Sequence, residues 1–152
     1  MRYRAPRTLS ACEAAYLAGL IDGEGTVALS RRHRADNRQL VVSISSTEYA
    51  ILEYVLDIVG AGRITCKRTY RSNHAPAFTY AIGNRQALHL LQQIFRHLRS
   101  YKAARVALVL EHYVRLTPRN GKYTEQMLAE RERFVQAFLG LSTGRRASQA
   151  AN

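Results

Sequence analysis

"AAYLAGLIDGEGTVALS", residues 14–30, opens as a helix and closes as a strand. Just upstream, Ser10 and Glu13 form a Ser-x-x-Glu capping box, which predicts a helix from about Ala11 to Asp22. Tyr16, Leu17, Leu20 and Ile21 make its bulky side, and Ala11, Ala15, Ala18, Gly19 and Asp22 its small side. Bulky sides bury in a core, whereas small sides let another backbone come close. Gly23 and Gly25 then break the helix and leave two acids, Asp22 and Glu24, between glycines at its mouth. In a chain of 152 residues with 23 Lys+Arg against 11 Asp+Glu and a net charge of +12, that placement demands a reason.

Outward from this stretch the periodicity alternates between strand and helix. "TVALSRRH" reads as a strand, "RADNR" as a turn, and "QLVVSISST" as a second strand with Leu40, Val42 and Ile44 inward. "EYAILEYVLDIV" is an amphipathic helix, with Ile51, Leu52, Val55, Leu56 and Val59 inward, that ends at Gly60-Ala61-Gly62. "RITCKRTY" and "AFTYAI" read as a second hairpin, Ile64, Cys66, Phe78, Tyr80 and Ile82 inward. Helices are expected from about Arg85 to Leu98, Lys102 to Leu116 and Glu125 to Leu139. The first would bury Phe95 and the last Leu128, among others. The class is therefore α+β: an antiparallel four-stranded sheet with helices on its apolar face. A basic arm (residues 1–9), one domain (10–140) and a disordered tail (141–152) complete the expected organisation.

The charge is distributed unevenly. From Ile58 to Leu110 there is no acidic residue, while Arg63, Lys67, Arg85 and Lys102 are among the cations there. Such one-signed surfaces attract polyanions. The outward strand positions fit that partner. Ser30 and Arg32 point outward on the first strand, with Arg34 at the turn after it; Gln39, Val41, Ser43 and Ser45 line the second; Arg63, Thr65, Lys67, Thr69 and Thr79 line the other hairpin. Short polar and cationic groups at alternate positions are what contact with base edges and phosphates requires. The basic arm is a candidate for phosphate contact as well.

Other chemistries find less support. Cys12 and Cys66 show no metal-ligand spacing and read as small reduced hydrophobes of a soluble, intracellular protein, in the cytoplasm or an organelle. His33, His74, His89, His97 and His112 show no ligand spacing either. No apolar window of ~18 residues suggests a membrane span. Neither a membrane nor a small-molecule substrate is expected as partner.

"YLAGLIDGEG", residues 16–25, resembles the motif of the LAGLIDADG homing endonucleases, with Glu24 where that family commonly has Asp. The αββαββα order read above is the fold of that family, which carries a curved DNA-binding sheet and, here, extra C-terminal helices. "YKAARVALVLEH" resembles the helix that follows a basic residue facing the active site, which here is Lys102. The resemblance implies metal-dependent, staggered cleavage of both strands of a long, pseudo-palindromic duplex. The motif occurs once, and within the family one motif implies a homodimer. The small helix side agrees, placing Ala15, Ala18, Gly19 and Asp22 against their copies.

On this reading the acids hold Mg²⁺ (or Mn²⁺), which wants hard oxygen ligands. Glu24 is the expected ligand, with the Gly23 carbonyl beside it and Asp22 as runner-up. Lys102 stabilises charge at the scissile phosphate or activates water, and Glu48 positions water or merely starts its helix. The rival within the fold is a non-cleaving binder, an intron RNA maturase or transcriptional regulator. A basic ribosome-associated RNA binder is a rival outside it. The start at Met and the lack of splice-junction residues around the motif suggest a free-standing, intron-encoded protein rather than an intein piece.

Overall fold

Ser10 opens the first helix as expected. Its hydroxyl accepts from the Glu13 amide at 3.1 Å, and the Glu13 carboxylate accepts from the Ser10 amide at 2.8 Å. These bonds satisfy donors that a helix start otherwise leaves open. In this computed structural model, which describes residues 2–67 and 75–142, the elements follow one another with short connections. They are α1 (Ala11–Glu24), β1 (Gly25–Ser30), β2 (Gln39–Ser46), α2 (Tyr49–Val59), β3 (Arg63–Lys67), β4 (Ala77–Gly83), α3 (Asn84–Ile94) with a 3-10 turn at Phe95–His97, α4 (Lys102–His112) and α5 (Glu125–Gly140). The chain divides into two compact units, residues 1–98 and 99–152. Thr69 and the tail beyond residue 142 lie outside the described residues.

The first unit is αββαββα. Its strands form one antiparallel sheet in the order β1-β2-β4-β3, so each hairpin contributes an inner and an edge strand. The register pairs Val27 with Val42, Val42 with Ile82 and Ile44 with Tyr80. That lines up the inward residues, and Val27, Leu29, Leu40, Val42, Ile44, Tyr80 and Ile82 are all buried. α1, α2 and α3 pack against this side. Tyr80 is fully buried and donates its hydroxyl to the Ala61 carbonyl at 2.7 Å. Burial holds that phenol above the ordinary tyrosine range. Gly62 bends under the same ring at φ +95°, where a Cβ would come 2.7 Å from the hydroxyl. Only glycine fits that turn.

Several expectations are corrected. Tyr16 is 47% exposed, and Leu20 is only half-buried, while Ala18 is fully buried with Ala14, Leu17 and Ile21. α1 packs on β2 and α3, and small residues on its inner side permit that approach. Side-chain volume therefore misjudged the helix's rotation. β1 ends at Ser30, so Arg32 lies in the loop. Cys66, expected inside, is exposed, as is Cys12; both are free thiols. The turn after Ile94 changes pitch and brings Phe95 out to 37% exposure. The basic arm lies along the helical layer, away from the open sheet face. Arg7 donates its amide to the Val59 carbonyl at 2.8 Å, Leu9 donates to Gln93 Oε1 at 2.7 Å, and Pro6 is buried.

In the second unit α4 packs on α5. Val106, Val109, Tyr113, Leu116, Phe134, Val135 and Phe138 are buried, whereas Leu128 is exposed. Arg131 is buried whole: its guanidinium donates to the Leu116 carbonyl and, at 2.8 Å, to Thr117 Oγ1. It thus caps the chain leaving α4.

Candidate active site and nucleic-acid interface

α1 passes into β1 without a loop. The Gly25 amide donates to the Ile21 carbonyl, and a Cβ on Gly25 would lie 2.7 Å from Ile21 Cα. The junction is too close for any side chain, so it fixes where Glu24 emerges. Glu24 and Gly23 are exposed, and Asp22 is half-buried. The bond to Ile21 closes the last turn of the helix, whose C-terminal end is the negative pole of its dipole. The last turn carries no basic residue. Two acids therefore sit at the negative pole of the helix, a locally unfavourable arrangement that a cation relieves.

The donors here are hard oxygens, as Mg²⁺ prefers. Among the described residues no group of three or more His, Cys, Asp or Glu side chains could hold a metal.

Glu48 lies at the same end of the sheet. It follows β2, whose Ile44 pairs with Gly25, the residue after Glu24. It is exposed, occupies the position before α2 without a capping bond from its side chain, and donates its amide to Ser46 Oγ at 3.0 Å. Lys102 belongs to the second unit. It begins α4, is buried, and its ammonium lies 6.0 Å from the centre of the Tyr101 ring.

The open sheet face follows the expected alternation. Rows run across it: Thr26 beside Ser43, Ser43 beside Ala81, and Ala81 beside Arg63. The next row is Ser45, Thr79 and Thr65, with the Ser45 and Thr79 hydroxyls 2.8 Å apart. Further along are Ala28 with Val41, and Ser30 with Gln39. Gln39 also accepts from Asn84 Nδ2 at 3.3 Å, a contact not foreseen in sequence because Asn84 starts a helix far along the chain. The two inner strands carry no charged residue on this face. Cations lie at its margins: Arg63 on the edge strand β3, which ends at residue 67, and Arg32 and Arg34 in the β1–β2 loop. A low centre with a cationic margin lets a broad polyanion lie close to the backbone.

On the outer side of α1, Ala15, Tyr16, Gly19 and Gly23 are exposed, and a Cβ on Gly19 or Gly23 would meet nothing within 4 Å. Nothing in the protomer requires glycine there. Ala18, expected on this side, is on the buried one.

The sequence profile of the LAGLIDADG-like domain matches residues 11–95. No curated protein matches the sequence significantly. Among solved structures, the homing endonuclease I-CvuI in complex with its target in the presence of Ca superposes with a TM-score of 0.70 at 20% identity, covering 89% of this chain and 85% of that one. The archaeal intron-encoded homing endonuclease I-Vdi141I, complexed with DNA, gives 0.66 at 19% identity over 90% and 88% of the two chains. The meganuclease I-AabMI bound to uncleaved DNA gives 0.58 at 23% identity, but there this chain matches only 48% of the longer one. The fold shared with these proteins and the profile spanning more than half of the residues agree: the chain belongs to the LAGLIDADG-like domain family.

Proposed function

We propose that this chain is a site-specific DNA endonuclease that acts as a homodimer, cutting both strands of a long, nearly palindromic duplex, and that it is intron-encoded. The observation that carries this reading is the pair of acids in the last turn of α1, at one end of a sheet face whose strands present no acid. The single motif supports the dimer, as does the match to about half of I-AabMI. The relatives I-CvuI and I-Vdi141I, both complexed with DNA, support duplex DNA as partner.

In the dimer the two exposed sides of α1 meet, with Ala15 and Gly19 at the contact and Asp22 near its end. Each copy then brings a Glu24 carboxylate and a Gly23 carbonyl to the dyad, and Asp22 is the alternative donor. When bound, Mg²⁺ (or Mn²⁺) supplies charge neutralisation at the scissile phosphate. Ser30, Arg32, Arg34, Gln39, Val41, Ser43, Ser45, Arg63, Thr65, Lys67 and Thr79 position the duplex; Thr69 is assigned to the same role on sequence alone. Lys102 stabilises developing negative charge. Glu48 orients water. The small, uncharged centre of the face excludes solvent from the groove edges.

The test begins by selecting a duplex from a randomised pool with the wild-type protein. Glu24→Gln should keep its affinity for that duplex while nicking falls by at least about a hundredfold. Full cutting by the variant would remove Glu24 from the site. Binding by the wild type without cutting, at any divalent ion tried, would favour the non-cleaving reading instead.

A further inference from the structure

The loop from β1 to β2 runs from Arg31 to Arg38 and contains four arginines, one histidine and a single acid, Asp36. An acid beside a polyanion weakens attraction, so its presence calls for a second role. Asp36 Oδ2 accepts from the His33 amide at 3.1 Å, and the Asp36 amide donates to the His33 carbonyl at 3.0 Å. These reciprocal bonds close the tip of the loop. Two arginines brace it from within: Arg31 Nη1 donates to the Arg34 carbonyl at 2.9 Å, and Arg38 Nη1 to the Leu29 carbonyl at 3.1 Å. Arg32, His33 and Arg34 remain at the tip, exposed, with no side-chain hydrogen bond or ion pair among the described residues.

We propose that Asp36 is a positioning residue that pre-orders this loop, so that Arg32, His33 and Arg34 meet the flank of the DNA target in one arrangement, with Arg31 and Arg38 as internal braces. The inference rests on the DNA-binding reading and adds to it a determinant of specificity. A loop ordered before binding loses less conformational freedom on contact. It also holds its cations at fixed spacing, which distinguishes one duplex from another better than a mobile cluster does.

Two substitutions separate this role from simple charge. Asp36→Asn keeps an oxygen acceptor and sheds the charge; Asp36→Ala sheds both. The probe is the duplex selected by the wild type, against a scrambled duplex of the same composition, read by fluorescence anisotropy. Asp36→Asn should bind the selected duplex at least as tightly as the wild type. Asp36→Ala should bind it about fivefold more weakly and discriminate less between the two duplexes. Hydrogen exchange at the His33 amide, measured without DNA, should be slow in the wild type and Asp36→Asn and fast in Asp36→Ala. If the two variants bind alike, or if the His33 amide exchanges equally fast in all three proteins, the assignment of Asp36 is overturned. If the wild type enriches no duplex, DNA binding itself fails and this inference with it.

Discussion

α1 and α2 lie on the same side of one sheet and are covered in different ways. α2 buries Leu52, Val55 and Val59 and turns Glu53, Tyr54 and Asp57 to solvent. That is the division expected of a surface helix. α1 buries Ala14, Leu17, Ala18 and Ile21, but its other side is Ala11, Cys12, Ala15, Tyr16, Gly19 and Gly23. Between Glu13 and Asp22 it carries no charged residue at all. A helix apolar all round is normally a helix covered all round. α2 is complete in one chain; α1 has the composition of a helix covered twice.

The sharpest way to break that contrast is to fill the open side. Gly19→Leu introduces a side chain where an added Cβ meets nothing within 4 Å. The protomer should fold as well as before or gain up to about 1 kcal/mol, since glycine inside a helix is unfavourable. Self-association, in contrast, should weaken by more than about a hundredfold, because the close helix approach is lost. Thermal unfolding reads the first effect and sedimentation the second. Glu53→Leu on α2 is the control and should change neither. A Gly19→Leu protein that still pairs like the wild type would remove α1 from the interface.

The inner sides of the two helices should behave alike. Leu17 and Leu52 are both fully buried, so Leu17→Ala and Leu52→Ala should each cost about 2–5 kcal/mol in urea unfolding. A much smaller loss at Leu17 would mean that α1 is not seated on the sheet as described. Ala18→Leu comes next. Ala18 has no exposed surface, and overpacking there should cost about 1–3 kcal/mol. Ala15→Leu, one turn earlier on the exposed side, should leave protomer stability unchanged within about 0.5 kcal/mol.

These two alanines also mark how far the sequence could be read. The Ser10–Glu13 cap, the strand alternation from Leu40 to Ile44 and the stop at Gly60 each follow a local rule, and each is present in the fold. The rotation of α1 follows no such rule. Helix rotation is read from the contrast between polar and apolar residues, and α1 has none across its middle turns. Side-chain size was the only cue left, and it misled because close packing on β2 and α3 calls for small residues inside. The end of β1 was obscured in a similar way. Arg31 and Arg32 continue the alternation in type, yet Arg31 turns back to the Arg34 carbonyl, a tertiary choice with no signature in spacing. At the acidic turn the residue types were legible, but the loop-free junction at Gly25 that sets where Glu24 emerges became visible only in three dimensions.

The smallest expected effect sits where α1 and α2 meet at the surface. Tyr16 and Tyr54 contact edge to face, with ring centres 5.5 Å apart and an interplanar angle of 86°. Both rings remain nearly half exposed, at 47% and 43%. Edge-to-face pairs contribute about 0.5–1.5 kcal/mol beyond the area they bury, and exposure places this one at the low end. A double-mutant cycle with Tyr16→Ala and Tyr54→Ala should therefore give a coupling near 0.5 kcal/mol in protomer unfolding. The same cycle read on self-association separates two roles for the pair. If the second cover of α1 extends over Tyr16, the coupling in association should exceed the coupling in folding. If the cover stops at Ala15 and Gly19, it should be close to zero, and the boundary of the contact lies between neighbouring residues on one helical turn.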